Sequence, residues 1–245
     1  MRSTASSARR RPAVRRRGSH SAAVAIALLT WAVVSGAEEA SHEHPAPTVL
    51  APGYSDLEFM PPAPGSYALP PLGEAADGVV LDSAGRRQSL HDLMGDKIVL
   101  LSFIYTRCSD VNGCPLATFV LKGVQNRVRA DPGLKGRVRL LSLSFDPEHD
   151  TPEVLDAYAA HFRQPGFDWQ FLTTVSEEML MPTLDAYGQW IIRDYDENGD
   201  YQGTISHLLR VYLIDQRRRV RNIYSTSFLH ADTVANDIRT LLLNG

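Results

Sequence analysis

The residues Ile98 to Ile104 form an apolar run broken only by Ser102, and two cysteines, Cys108 and Cys114, follow directly before a segment of helical spacing. A continuous apolar run of this length marks a strand buried on both faces. A strand of that kind needs a sheet with helices packed on it. Val138 to Phe145 is a second run of the same character. Between the two, Leu116, Phe119, Val120, Val124 and Val128 recur at helical spacing. Alternating elements joined by long crossovers imply a central sheet flanked by helices, hence an α/β chain.

The remaining segments fit one domain over residues 72–245. Gly78 to Gln88 reads as a short hairpin around Ser83-Ala84-Gly85. Thr151-Pro152-Glu153 combines an N-cap, a proline at the first helical position and an acid in the first turn. That helix continues through Leu155, Tyr158, Ala159 and Phe162. Ser176-Glu177-Glu178 opens another helix, ending near Tyr187-Gly188. Leu208 to Asp215 is a third strong strand, with Val220 to Tyr224 paired to it across the Gln216–Arg219 turn. Asp232 caps a last helix running to Leu243. Roughly 175 residues suffice for one well-buried core.

The first 71 residues have a different character. Seven arginines lie within residues 1–17, followed by the apolar stretch Ala22 to Val34 and the small residues Ser35-Gly36-Ala37. This is the plan of a secretory signal peptide cleaved after Ala37. The rival reading is an uncleaved anchor, although thirteen residues span only about 20 Å as a helix against a hydrocarbon core of roughly 30 Å. Either places the body outside the cytoplasm, in a periplasmic or other extracytoplasmic compartment. With no Cys directly after the apolar stretch, a lipoprotein anchor is not expected. Residues 38–71 hold eight prolines and read as a semi-extended linker.

The charge distribution narrows the partners. Setting the seven leader arginines aside leaves 18 basic against 28 acidic residues. An acidic body argues against a nucleic-acid backbone as partner. The 44% hydrophobic and 22% charged composition excludes collagen, a coiled coil and wholesale disorder. No apolar run has the length for a polytopic membrane protein.

Cys108 and Cys114 are the only cysteines. They sit where a buried strand gives way to a helix, and the carboxyl end of a strand is where α/β folds build sites. The helix's partial positive charge is expected to lower the Cys114 thiol pKa. A continuous helix would turn 600° over six residues and carry Cys114 about 9 Å along the axis. The two thiols therefore need a turn between them to work together. Asn112-Gly113, both tolerant of positive φ, is the candidate for it. Such a pair can form a structural disulfide, exchange disulfides with a partner, or ligate a metal.

These residues resemble a known family. Phe103-x-Tyr-Thr-x-Cys108-x-Asp-Val…Cys114-Pro is similar to the cysteine motif of the SCO/SenC family, and Ser144-Phe-Asp-Pro-Glu-His-Asp-Thr-Pro-Glu153 to its Asp-Pro-Glu loop. His207, five residues before Tyr212-Leu-Ile-Asp215, has the spacing of that family's ligand histidine. The resemblance runs from about Tyr67 to Leu243. It implies a thioredoxin-like fold and a role in copper delivery, or thiol reduction, during assembly of the copper-A centre of cytochrome oxidase. By position it assigns copper to Cys108, Cys114 and His207 and places Asp146 near the site. The implied partners are an oxidase subunit bearing the copper-A cysteines or another periplasmic copper protein. This chain departs from the family in having C-x5-C where C-x3-C is usual, and in carrying His149 where the family loop often has Arg.

Other polar features have plainer readings. Asp194-x-Asp196-x-Asn198-Gly199 opens like a calcium loop, but the twelfth position is Ile205, not Glu. Asp194 to Gly203 is therefore a hairpin tip. His42-x-His44, His91, His149, His161, His230 and Arg217-Arg218-Arg219 read as solvated.

Overall fold

The computed structural model describes Tyr54 and residues 57–244, all within the compact unit Pro47–Gly245. The leader through Ala37 and the His42-x-His44 pair lie outside the described residues. The chain order is β1 (Gly73–Glu74), β2 (Val79–Asp82), β3 (Arg87–Ser89), α1 (Leu90–Met94), β4 (Ile98–Ile104), α2 (Cys114–Ala130), β5 (Val138–Ser144) and α3 (Pro152–Ala159). Then come β6 (Trp169–Thr173), α4 (Glu177–Ala186), β7 (Ile191–Tyr195), β8 (Tyr201–His207), β9 (Val211–Ile214), β10 (Arg219–Tyr224) and α5 (Ala231–Asn244).

Eight strands make one mixed sheet in the order β1-β10-β9-β4-β5-β6-β2-β3. Its centre, β4, β5 and β6, is parallel, and the strands outside it run antiparallel. Every residue of β4 is buried, as the apolar run requires. Its one polar residue is satisfied: Ser102 Oγ lies 2.9 Å from Ser142 Oγ on β5, which accepts from Trp169 Nε1 at 3.1 Å. A buried hydroxyl without such a partner would cost about 1–3 kcal/mol.

The helix starts follow their sequence signals. Thr151 Oγ1 accepts from the Val154 amide and Ser176 Oγ from the Met179 amide. Helices α2 and α5 are held together by Arg127, whose fork grips Asp232 at 2.6 and 2.7 Å, and by Arg239 on Asp131 at 2.8 Å. Asp232 thus lies in the first turn of α5 as an ion-pair partner and does not cap the helix.

Four expectations shift. β6 lacks a long apolar run, since Gln170 interrupts it, and the periodicity does not reveal it as the third parallel strand. Phe119 is exposed while Ala117, Thr118, Leu121 and Gln125 are buried, so the buried stripe of α2 is turned round from the one the spacing suggests. The strand expected from Leu208 begins only at Val211, and Leu208 is exposed. Asp194 to Gly203 is indeed a hairpin, but its strands are β7 and β8, a separate two-stranded sheet. Asp196 Oδ1 closes its tip by accepting from the amides of Asn198 and Asp200.

The prolines admit no helix or strand between residues 57 and 71. That stretch is nonetheless tied down along α5. The Gly65 amide donates to Thr240 Oγ1 at 3.0 Å, Asn236 Nδ2 donates to the Pro62 carbonyl, and the Tyr67 hydroxyl donates to buried Asp237.

Candidate metal centre

Strand β4 delivers the chain to Tyr105 at the carboxyl edge of the sheet. There it turns: the Cys108 amide donates to the Tyr105 carbonyl at 3.2 Å. Asp110 organises the next turn, its side chain accepting from the Asn112 amide at 3.0 Å and its carbonyl from the Gly113 amide at 2.9 Å. Gly113 is then the N-cap of α2, and Cys114 is its first residue. The longer Cys–Cys spacing is taken up by this double turn. Neither Asn112 nor Gly113 needs a positive φ for it, contrary to expectation; Gly113 has φ −98°. Its small size matters for another reason. A Cβ there would lie 3.3 Å from the Asp110 carbonyl oxygen and 3.4 Å from Cys108 Sγ.

His207 arrives from the other sheet, as the last residue of β8. Its Nε2 lies 3.4 Å from Cys114 Sγ, and its Nδ1 is 2.8 Å from the Ile205 carbonyl. With Nδ1–H donating to that carbonyl, Nε2 keeps its lone pair toward the sulfurs. The ring packs against Phe145 at 4.7 Å and edge-on to Tyr105 at 5.7 Å between centroids. Cys108, Cys114 and His207 thus bring three ligand atoms within 4.8 Å of one another, the one such cluster among the described residues.

The thiols differ in environment. Cys114 is buried, and desolvation pushes its thiol well above the usual range. Cys108 is half-buried, and its pKa falls to about 6 because the Cys114 thiol donates to it, helped by the backbone amides of Cys114 and Asp110 and by His207, against a burial cost. The lowering that the helix end was expected to give Cys114 is not found: burial outweighs the helix's partial charge there. Tyr105, behind the pair, has its hydroxyl pushed up to about 12, mainly by burial.

Asp146 is buried and does not join the cluster. It accepts from Arg107 Nη2 at 2.8 Å, one residue before Cys108, and lies 3.5 Å from Arg193 Nη1 on β7. Asp150 is the acid that ties the loop down, accepting from the Thr106 amide, the Thr106 hydroxyl and the Ser144 hydroxyl. Sequence reasoning passed over Asp150, although it stands in the quoted loop just before the Thr151 cap. Tyr105, Phe145, Arg107 and Arg193 were also missed, and only tertiary contact identifies them. His149 is exposed. His91 is not simply solvated, since its Nε2 is 2.8 Å from the Ala75 carbonyl, and His230 stacks on Tyr54. Arg219 and Arg221 both pair with Asp215.

A parallel-centred sheet with a thiol pair and an imidazole at its carboxyl edge defines a thioredoxin-like domain with a candidate soft-metal centre. The chain belongs to the SCO1/SenC family, whose model matches residues 78–243. It is 34% identical over 96 residues to the SCO1 protein homolog of Bacillus subtilis, spanning 47% of that protein and 39% of this chain. An SCO2-like protein of Rickettsia prowazekii is 29% identical over 153 residues, 68% of its length and 62% of this chain. Among solved structures, an SCO1/SenC family lipoprotein from Bacillus anthracis aligns with a TM-score of 0.60 and 26% identity, over 72% of this chain and 99% of that one. ScoI of Bradyrhizobium japonicum, solved with copper bound, aligns with a TM-score of 0.57 and 24% identity, over 69% of this chain and 99% of that one, a likeness of fold. No helix among the described residues is long and apolar enough to cross a membrane.

Proposed function

We propose that this protein is an exported copper metallochaperone. In this reading Cys108, Cys114 and His207 hold one Cu(I) and pass it to the cysteines of a copper-A centre during assembly of cytochrome oxidase, or to another periplasmic copper protein. The observation that carries it is the convergence of two sulfurs and one imidazole nitrogen within 4.8 Å. Thiolate and imidazole are the donors that suit Cu(I). The copper-bound ScoI structure and the similarity to BsSco, a member of the Sco family of cytochrome c oxidase assembly proteins, support the same cargo and destination.

Each residue then has a part. Cys108, half-buried and thiolate-prone, meets an acceptor sulfur first; Cys114 and His207 retain the ion until that contact is made. Transfer passes Cu(I) from thiolate to thiolate with no change of oxidation state. A disulfide between the cysteines would bar loading, so redox state gates the site. Asp146 steadies the cysteine loop through Arg107. Residues 1–37 serve as signal peptide or membrane attachment, 38–71 as linker and 72–245 as the working domain outside the cytoplasm.

A second reading, thiol–disulfide exchange, is favoured by the contrast between the two sulfurs. The Cys108 thiolate attacks a partner disulfide, forming a mixed disulfide and releasing one partner thiolate. Cys114, deprotonated, then attacks the Cys108 sulfur and releases the second, leaving this chain oxidised and the partner reduced. Anaerobic Cu(I) competition on the reduced protein with His207→Ala alongside separates the two. One tightly held copper per chain, weakened about tenfold or more in the variant, is the expected result for loss of a ligand. Weak binding that the variant leaves unchanged overturns the chaperone and leaves exchange.

A further inference from the structure

The two halves of the centre stand on different sheets, so no strand ladder holds His207 in register with the sulfurs. Arg193 is placed to do so. It lies on β7 directly across from Ile205 on β8, and Ile191 lies across from His207. Its side chain is 13% exposed, and each of its three guanidinium nitrogens has a polar partner. Nε and Nη2 donate to Glu177 Oε2 at 3.1 and 2.6 Å, at the start of α4. Nη1 lies 3.5 Å from Asp146 Oδ1 and 3.4 Å from the Tyr201 hydroxyl. The same guanidinium sits over the Tyr201 ring, 5.5 Å from its centroid. One rigid fork therefore binds both hairpin strands to α4 and to the loop that grips Arg107 beside Cys108.

The path from Arg193 to the imidazole is short. Its cross-strand partner Ile205 is buried, donates its amide to the Tyr105 hydroxyl at 3.3 Å, and accepts from His207 Nδ1 through its carbonyl at 2.8 Å. Tyr105 belongs to the cysteine half. A shift of Ile205 thus moves the ring's hydrogen-bond anchor and with it Nε2.

We propose that Arg193 is a positioning residue for the metal: by clamping the β7–β8 hairpin between Glu177 and Asp146, it sets where His207 Nε2 stands relative to Cys108 and Cys114. The inference deepens the copper reading and rests on it for its first test. Without the clamp the cysteines still bind Cu(I), but the imidazole is no longer held in place to complete the site.

The test is anaerobic Cu(I) competition on the full reduced chain, with Arg193→Gln, His207→Ala and both changes together. Arg193→Gln is expected to weaken binding about tenfold, the range for residues that orient a metal ligand. In the His207→Ala background it should weaken binding no further, because its effect runs through that ring. Arg193→Lys, able to reach one carboxylate but not to fork, should recover part of the loss. Additive losses in the double variant, or full affinity in Arg193→Gln, overturn the proposal. A second arm needs no copper. In the metal-free reduced protein, Arg193→Gln should speed amide exchange in β8 about tenfold and leave β4 and β9 unchanged; a uniform rise, or none, overturns it. If the parent chain binds no Cu(I), the chaperone reading fails, and the exchange arm still decides whether Arg193 holds the hairpin.

Discussion

The sheet that carries the cysteines and the hairpin that carries His207 are built to different standards. All seven residues of β4 are buried, and its neighbours β5 and β9 are nearly as enclosed. In β7 no residue is buried, and in β8 only Ile205 is. The hairpin's outer face leaves Trp190 73% and Ile192 68% exposed. Burial therefore anchors Cys114 and hydrogen-bonded turns hold Cys108 beside it, while the hairpin that carries the imidazole is tied down by a few polar contacts, one buried side chain and the ring's packing on Phe145 and Tyr105. Segments with few buried apolar contacts open at lower free energy than the core. The two halves of the candidate site therefore differ in how firmly the fold holds them.

Truncation on each side breaks or upholds that contrast. Leu101→Ala in β4 removes a fully buried side chain and should destabilise the protein by about 2–5 kcal/mol in urea unfolding. Ile192→Ala on the hairpin should change stability by less than about 0.5 kcal/mol, as exposed substitutions do. Comparable losses at the two positions would mean that the hairpin belongs to the same cooperative core, and the contrast would fall.

The same opposition of buried and accessible divides the thiol pair. Cys108 is lowered to about 6 by the Cys114 thiol that donates to it, and Cys114 is raised by burial. In the metal-free reduced protein, alkylation by iodoacetamide should therefore rise with pH through a midpoint near 6 at Cys108, because only the thiolate reacts. Below that midpoint Cys108 is protonated and slow. Cys114 should remain a slow thiol past pH 9, since its folded value lies above the ordinary one. Mass spectrometry of the labelled peptides reads both. The linkage has a definite sign: a thiol depressed in the folded state contributes stability above its unfolded pKa, and loses that contribution as pH falls toward 6. Alkylation at Cys114 first would reverse the roles given to the two sulfurs.

How much of this was legible beforehand follows the same line. Strands β4 and β5 announce themselves because burial on both faces demands an unbroken apolar run. Helices α3 and α4 announce themselves through the Thr151 and Ser176 caps. β6 does not, because Gln170 interrupts its run and nothing local distinguishes it from a loop. Cys108, Cys114 and His207 were legible as residue types in the family's order, despite the longer cysteine spacing, but not their unequal environments, because burial is a property of the packed core. Arg193 carries no local signal of its own, and Asp150 only its place in the loop before the Thr151 cap. Their partners lie on other elements, at Glu177 and Asp146 for the one and at Thr106 and Ser144 for the other.

The smallest expected effect probes how firmly the cysteine half is held. Gly113 caps α2 without a side-chain hydrogen bond, under the turn made by Asp110. In Gly113→Ala the new methyl would stand 3.3 Å from the Asp110 carbonyl oxygen and 3.4 Å from Cys108 Sγ, so the turn must yield by a few tenths of an ångström. Alanine is also a poorer N-cap than glycine, a cost of about 0.5–1 kcal/mol. The sulfur is displaced but not lost, so Cu(I) affinity should fall about threefold, short of the tenfold that marks a disoriented ligand. Urea unfolding and the Cu(I) competition measure the two quantities on one sample. A loss of affinity beyond about tenfold, with stability nearly unchanged, would place the adjustable element in the cysteine turn. The extra two residues of the C-x5-C spacing would then be the site's hinge, and the hairpin its fixed side.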